Sequence, residues 1–132
     1  MKLLLVRHGE TEWNKVGRFQ GQRDVALNER GLAQARETAR AVVAHGQTAL
    51  YSSPLHRTMQ VADEISRLGR VPVVPVAGFK ELDLGDMEGI TGAEMRDCWP
   101  EVHAPGRNNP AELKMPNGES LLQLQDRTWR AL

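Results

Sequence analysis

Apolar positions along the chain recur at two spacings. Leu3 to Val6 form an uninterrupted apolar run that stops at Arg7-His8-Gly9, the pattern of a buried strand of a parallel sheet that delivers polar residues at its carboxyl end. Residues 9 to 27 hold no period and are rich in Gly, Glu, Gln and Arg, which predicts a long functional loop. From Asn28, a residue type suited to an N-cap, the positions Leu32, Ala35, Ala39, Val42 and Val43 return at helical spacing until Gly46 offers a stop. Thr48 to Tyr51 reads as a short strand. Ser53-Pro54 reads as the cap and first position of a second helix, with Leu55, Met59, Ala62 and Ile65 on one face and an end at Gly69. Val71 to Val76 is β-branched but broken by Pro72 and Pro75, which suits an edge strand.

Further along, Thr91-Gly92-Ala93-Glu94 has the pattern of a capping box and opens a short helix that should end before Pro100. The stretch from Glu101 to Gly118 contains Pro105, Gly106, Asn108, Asn109, Pro110, Pro116 and Gly118, punctuation better suited to a lid than to a core. Helical spacing resumes at Ser120, with Leu121, Leu124, Thr128 and Leu132 on one side, and continues to the last residue. Strand and helix alternate without repeat, low-complexity tract or linker, so the expected fold class is α/β with a mainly parallel sheet, in one domain spanning 1–132.

Charge narrows the partners. Lys plus Arg number 17 and Asp plus Glu 17, so no global field favours nucleic acid or an anionic membrane, and any affinity for anions must be local. The apolar run at the amino terminus is too short for a secretory core and far too short to cross a bilayer. Cys98 is the one cysteine; it cannot form an internal disulfide, and cytoplasm is the expected compartment. Cys98 and His103 are too few, at no recognised spacing, to hold zinc, so no metal site and no cofactor are expected.

Candidate chemistry begins at Arg7-His8-Gly9-Glu10-Thr11, directly after a predicted strand, where a histidine can be presented to a ligand. Position alone suits a hydrogen-bonded core histidine equally well. Taken with Asn14, Phe19-Gln20-Gly21, Ser52-Ser53-Pro54-Leu55-His56-Arg57 and Glu81-Leu82-Asp83-Leu84-Gly85, the sequence resembles the histidine phosphatase (phosphoglycerate mutase-like) superfamily across essentially its whole length. The resemblance implies a three-layer α/β/α fold with a mainly parallel sheet. It also implies that His8 is a nucleophile forming a phosphohistidine, while Arg7, Arg57 and Asn14 hold the transferred group. Gln20 and Gly21 match positions where the loop closes over substrate. Glu81 matches the family's proton donor, a role that calls for burial beside the substrate phosphate; Glu88 competes for it but matches less well.

These assignments make chemical sense. A neutral imidazole can attack phosphorus through one ring nitrogen when the other is held by a hydrogen bond, as to a nearby backbone carbonyl. Two guanidinium forks can chelate phosphoryl oxygens, the task a metal performs in many phosphoryl-transfer enzymes. Arg57 near a helix amino terminus is electrostatically misplaced unless it reaches a negative partner.

The chain departs from the family pattern in one respect. The second catalytic histidine, followed by glycine at the end of a central strand after the helix begun near Ser120, has no counterpart. His45, His56 and His103 do not match it, and His56 should point away from Arg57 because adjacent helical residues do not share a face. A domain short of an interior strand is costly, so the expectation is a chain lacking its C-terminal part; a strand exchanged with a second copy would instead make a homodimer. The expected function is a metal-independent phosphatase acting on a small-molecule phosphomonoester through a phosphohistidine on His8. A cofactor-dependent phosphoglycerate mutase is the rival, disfavoured by the short run from Glu81 to Ser120 and by Leu84 where mutases carry an aromatic residue. A non-catalytic phosphoryl-binding domain is the reading from another class. Arg96, Arg107 and Lys114 could bind a second anionic group or simply face solvent.

Overall fold

The structure, a computed structural model, describes residues 2–103 and 110–132. In chain order its elements are α1 (Glu12–Lys15), α2 (Glu29–Val43), β1 (Leu50–Ser52), α3 (His56–Gly69), β2 (Val73–Pro75), α4 (Gly92–Cys98), α5 (Pro100–His103) and α6 (Leu121–Ala131). Single 3-10 turns cover Ala77–Phe79 and Gly85–Met87. The chain divides into two compact units, Met1–Glu12 with Asp24–Ala77, and Trp13–Arg23 with Gly78–Leu132.

In the first unit α2 begins where its cap predicts. Asn28 is extended, and its side chain accepts the Gly31 N–H at 2.8 Å, a contact that stabilises a helix by about 1 kcal/mol. The apolar stripe of α2 supplies Ala35 and Ala39 to a core shared with Leu27, Val61 and Ile65, with Leu32, Val42, Val43 and Leu50 packed around it. Small residues on α2 let α3 approach closely, since the spacing of packed helices follows the side chains at the contact. β1 and β2 pair in parallel, Leu50 opposite Val73 and Ser52 opposite Pro75. Together with α3 between them they form a strand-helix-strand unit, and Pro75 sits at an edge, where its missing N–H costs nothing.

Two features of this unit differ from the sequence pattern. Leu3–Val6 is not a strand, and its residues are exposed, Leu5 at 89%. An apolar run becomes a strand only where a neighbour completes its hydrogen-bond ladder. Among the described residues the one ladder is that of β1 with β2. The second helix starts at His56, not Pro54: Leu55 is its extended N-cap and offers no capping side chain. A distant residue substitutes, for the Asp24 carboxylate accepts the His56 N–H at 2.6 Å.

In the second unit, α4 carries the predicted capping box between Thr91 and Glu94. A second box, Ser120 with Gln123, opens α6. The Phe19 and Gly89 amides exchange bonds with Ile90 and Phe19 carbonyls at 2.9 and 2.8 Å, and Arg18 bridges Thr91 antiparallel, so the loop at 18–20 is paired to 89–91. Of the punctuated stretch, Pro105, Gly106, Arg107, Asn108 and Asn109 lie outside the described residues. Its end is no loose lid: the Asp86 N–H donates to Pro116 O at 2.9 Å and the Glu119 N–H to Asp83 O at 3.0 Å. Gly85 is required there. Its φ is +54, and a Cβ would lie 2.0 Å from Pro116 O. Of the predicted apolar face of α6, Leu124 and Thr128 are half-buried while Leu121 and Leu132 are exposed; Arg127 joins the inward side, and it and Thr128 both donate to Gly78 O.

Candidate active site

The histidine motif is clamped onto the start of α2 by backbone contact. A Cβ on Gly9 would lie 2.5 Å from Gly31 O, and one on Gly31 would lie 2.1 Å from Glu10 O. Glu10 gives its N–H to Gln34 Oε1 at 2.8 Å, and its carbonyl takes the Asn28 N–H at 3.0 Å. Asn28 Nδ2 reaches the Glu10 carboxylate at 3.0 Å. Thr11 is fully buried and bridges Leu27 antiparallel. In this frame His8 is half-buried, with Nδ1 2.7 Å from Gly9 O. A carbonyl only accepts, so Nδ1 carries the proton, and in the neutral ring Nε2 carries the lone pair.

Arg57 occupies the second position of α3 and is 1% exposed, the largest fully buried side chain among the described residues. A guanidinium is not taken out of water without compensation, which sets Arg57 apart from an ordinary surface charge. His56 beside it is exposed, as expected of residues that do not share a helix face. The turn before α3 is fastened by buried serines. Ser53 Oγ accepts the Leu55 N–H at 3.3 Å, Ser53 O accepts the Thr58 hydroxyl at 2.8 Å, and Ser52 Oγ donates to Ser53 O at 2.9 Å. Arg7 is exposed. Arg7, His8 and Arg57 thus all belong to the first unit.

Asn14, Gln20, Gly21 and Glu81 belong to the second unit. Asn14 is an exposed residue of α1. Gln20 and Gly21 are buried, and at Gly21, where φ is +53, a Cβ would lie 2.3 Å from Glu88 Oε1, so that carboxylate would have to shift. That carboxylate accepts the Gln22 N–H at 2.7 Å and stands 3.4 Å from Arg23 Nε. Glu88 therefore serves the Gln20–Arg23 turn through its carboxylate. Glu81 itself is exposed, so the burial expected for it is not found. Its Oε1 is turned back to accept the Leu82 N–H at 2.8 Å, while its carbonyl is held by Arg127 at 2.8 Å and Gln22 Nε2 at 3.1 Å.

Among the described residues no cluster of three or more histidine, cysteine or acidic side chains could hold a metal. His45 lies past the end of α2 with Nδ1 3.1 Å from Lys2 Nζ. The side chain of His103 and all of Arg107 fall outside the described residues, and Arg96 and Lys114 are exposed. Four contributors had no assigned role in the sequence: Gly31, Gln34, Asp24 and Arg127. Gly31 carried a signal, because a glycine inside an amphipathic helix is disfavoured by about 1 kcal/mol and wants a reason. The other three are polar residues with partners far away in sequence, and no local pattern marks them.

A family model described as the histidine phosphatase superfamily (branch 1) matches residues 3–132. Phosphoserine phosphatase 1 of Hydrogenobacter thermophilus is 37% identical over 127 residues, covering 96% of this chain and 60% of that protein. The probable phosphoglycerate mutase GpmB of Proteus mirabilis is 36% identical over 135 residues, covering 100% of this chain and 61% of that one. A mycobacterial glucosyl-3-phosphoglycerate phosphatase, solved with inorganic phosphate, superposes with a TM-score of 0.83 at 28% identity over 93% of this chain and 56% of that one. The chain thus spans about three fifths of the length of these relatives.

Proposed function

This chain belongs to the histidine phosphatase superfamily, branch 1, and from that premise we propose that it hydrolyses a small-molecule phosphomonoester through a phosphohistidine on His8. The observation that carries the reading is the 2.7 Å contact of His8 Nδ1 with Gly9 O, which supports a role for Nε2 as the nucleophile. Nε2 attacks phosphorus, and the N–P bond forms as the ester P–O bond breaks. The departing alkoxide takes the carboxyl proton of Glu81 and leaves as an alcohol. Water then attacks the phosphohistidine and gives a proton to the Glu81 carboxylate, inorganic phosphate departs, and the lone pair returns to Nε2.

Arg7, Arg57 and Asn14 are proposed to hold the phosphoryl oxygens, with Gln20 and Gly21 closing over the substrate. The burial of Arg57 supports its part in this. Losing one such donor raises the barrier by roughly 3 to 4 kcal/mol. The guanidinium charges do the work of a metal in this scheme, so no cofactor enters it. Named phosphatases among the relatives favour hydrolysis, and named mutases keep return of the phosphoryl group to substrate as the second reading. Residence in the cytoplasm belongs to the same proposal, consistent with the exposed thiol of Cys98. Among the described residues no helix is long and apolar enough to cross a membrane.

Hydrolysis of p-nitrophenyl phosphate by the chain and by His8→Ala tests the proposal. Activity should vanish in the variant, and an acid-labile, alkali-stable phosphoryl label should disappear with it. Hydrolysis that survives His8→Ala refutes the nucleophile, and interconversion of phosphoglycerates faster than phosphate release selects the mutase.

A further inference from the structure

One polar assembly of the second unit takes no part in the proposed reaction. The guanidinium of Arg127 meets the Glu119 carboxylate at 3.2 and 3.0 Å through Nε and at 2.6 Å through Nη2, with side chains 25% and 15% exposed. Its remaining donors point along the backbone that carries Glu81: Nη1 to Gly78 O and Nη2 to Glu81 O, both at 2.8 Å. Glu119 Oε1 accepts the Asp83 N–H, and the Glu119 N–H donates to Asp83 O, both at 3.0 Å. The start of the same segment touches α6 directly, since a Cβ on Gly78 would lie 2.4 Å from Ala131 Cβ.

Residues 80–84 are neither helix nor strand. Polar backbone in such a stretch is normally satisfied by water and is free to move. Here two side chains take over the carbonyls of 78 and 81 and the amide of 83, on both sides of Glu81. A lone surface ion pair contributes little to stability. This one spends its donors on fixing backbone, which is a device for placing a side chain. We propose that Arg127 and Glu119 are positioning residues that set where Glu81 presents its carboxyl to the leaving oxygen. The inference rests on the proton-donor role given to Glu81 above. A general acid acts only within hydrogen-bond reach of the atom it protonates, and a displacement of about 1 Å costs about 100-fold.

The test compares two esters by kcat/KM, which reports formation of the phosphoenzyme. Nitrophenolate leaves without help from an acid, whereas the alkoxide of glycerol phosphate needs a proton. Arg127→Gln should lower kcat/KM for glycerol phosphate by about 100-fold and that for p-nitrophenyl phosphate by less than about 5-fold. It should cause no further loss when added to Glu81→Gln, and Arg127→Lys should fall between. Equal losses on both esters, or additive losses with Glu81→Gln, overturn the proposal. Amide exchange on the same proteins supplies a readout independent of turnover. Residues 78–83 should exchange at least about tenfold faster in Arg127→Gln while α2 and α3 keep their protection, and unchanged exchange there also overturns it. A wild-type chain with no His8-dependent hydrolysis of either ester refutes the parent reading instead, and the exchange rates then decide the holding role alone.

Discussion

Replacing Gly31 by alanine should cost activity far more than stability, against what helix propensity predicts. Gly31 is the third residue of α2, and in an ordinary helix the change to alanine is worth up to about 1 kcal/mol in favour of folding. Here the new Cβ would stand 2.1 Å from Glu10 O, 2.9 Å from Glu10 N and 3.0 Å from its carbonyl carbon, against an ordinary contact of 3.4 to 4 Å. The obstacle is backbone and cannot swing aside as a side chain does. The segment two residues past His8 must therefore retreat by about 1 Å, straining its bonds to Asn28 and Gln34. Overpacking of this kind costs about 1 to 3 kcal/mol, which leaves a net loss of about 1 kcal/mol after the propensity gain, a Tm lower by about 4 °C. The nucleophile proposed on His8, displaced by about 1 Å, should lose about 100-fold in rate. The assay is kcat/KM for p-nitrophenyl phosphate beside thermal unfolding, with Ala33→Gly on the exposed side of α2 as a variant of similar stability and unchanged rate. A Gly31→Ala protein with raised Tm and wild-type kcat/KM would show that the Gly31–Glu10 contact does not hold the histidine motif in place.

Two further outcomes follow from polar contacts. Asp24→Ala removes the acceptor for the His56 N–H and should lower stability by about 1 kcal/mol, measured by urea unfolding; Asp24→Asn keeps an acceptor and should recover most of it, so equal losses in the two would count against the cap. The carboxyl of Glu119 is held below the ordinary glutamate range, first by the hydrogen bond from Arg127 and then by the Asp83 amide, outweighing the effect of burial. A depressed folded-state pKa means a contribution fully present above the ordinary value and lost as pH falls through the folded one. The stability difference between wild type and Glu119→Gln should therefore shrink on acidification over that window, and a difference that grows would contradict the assignment.

Much of the secondary structure was legible because its signals are local. Asn28 caps α2 and Thr91 with Glu94 caps α4 where the pattern predicted, since a cap and its amide lie within three residues. The contact of His8 Nδ1 with Gly9 O is local in the same sense, and it is of the kind expected of a histidine held through one ring nitrogen by a nearby carbonyl. The alternation of α2, β1, α3 and β2 followed from periodicity, and the parallel pairing of the two strands agrees with the α/β reading. Leu3–Val6 misled for the complementary reason: its composition describes a buried strand, yet a ladder requires a partner that composition cannot name.

The amino-acid sequence alone was enough for the family and the class of fold and named the candidate groups for chemistry, because these depend on residue type and short spacing. How those candidate groups are held came from the folded chain alone. Asp24 caps a helix 32 residues away, Arg127 grips the Glu81 carbonyl across 46 residues, and Gly31 is pressed against Glu10 by packing. Each such contact depends on where the chain returns in space, and one polar residue in a sequence looks the same whether its partner is water or a distant carbonyl.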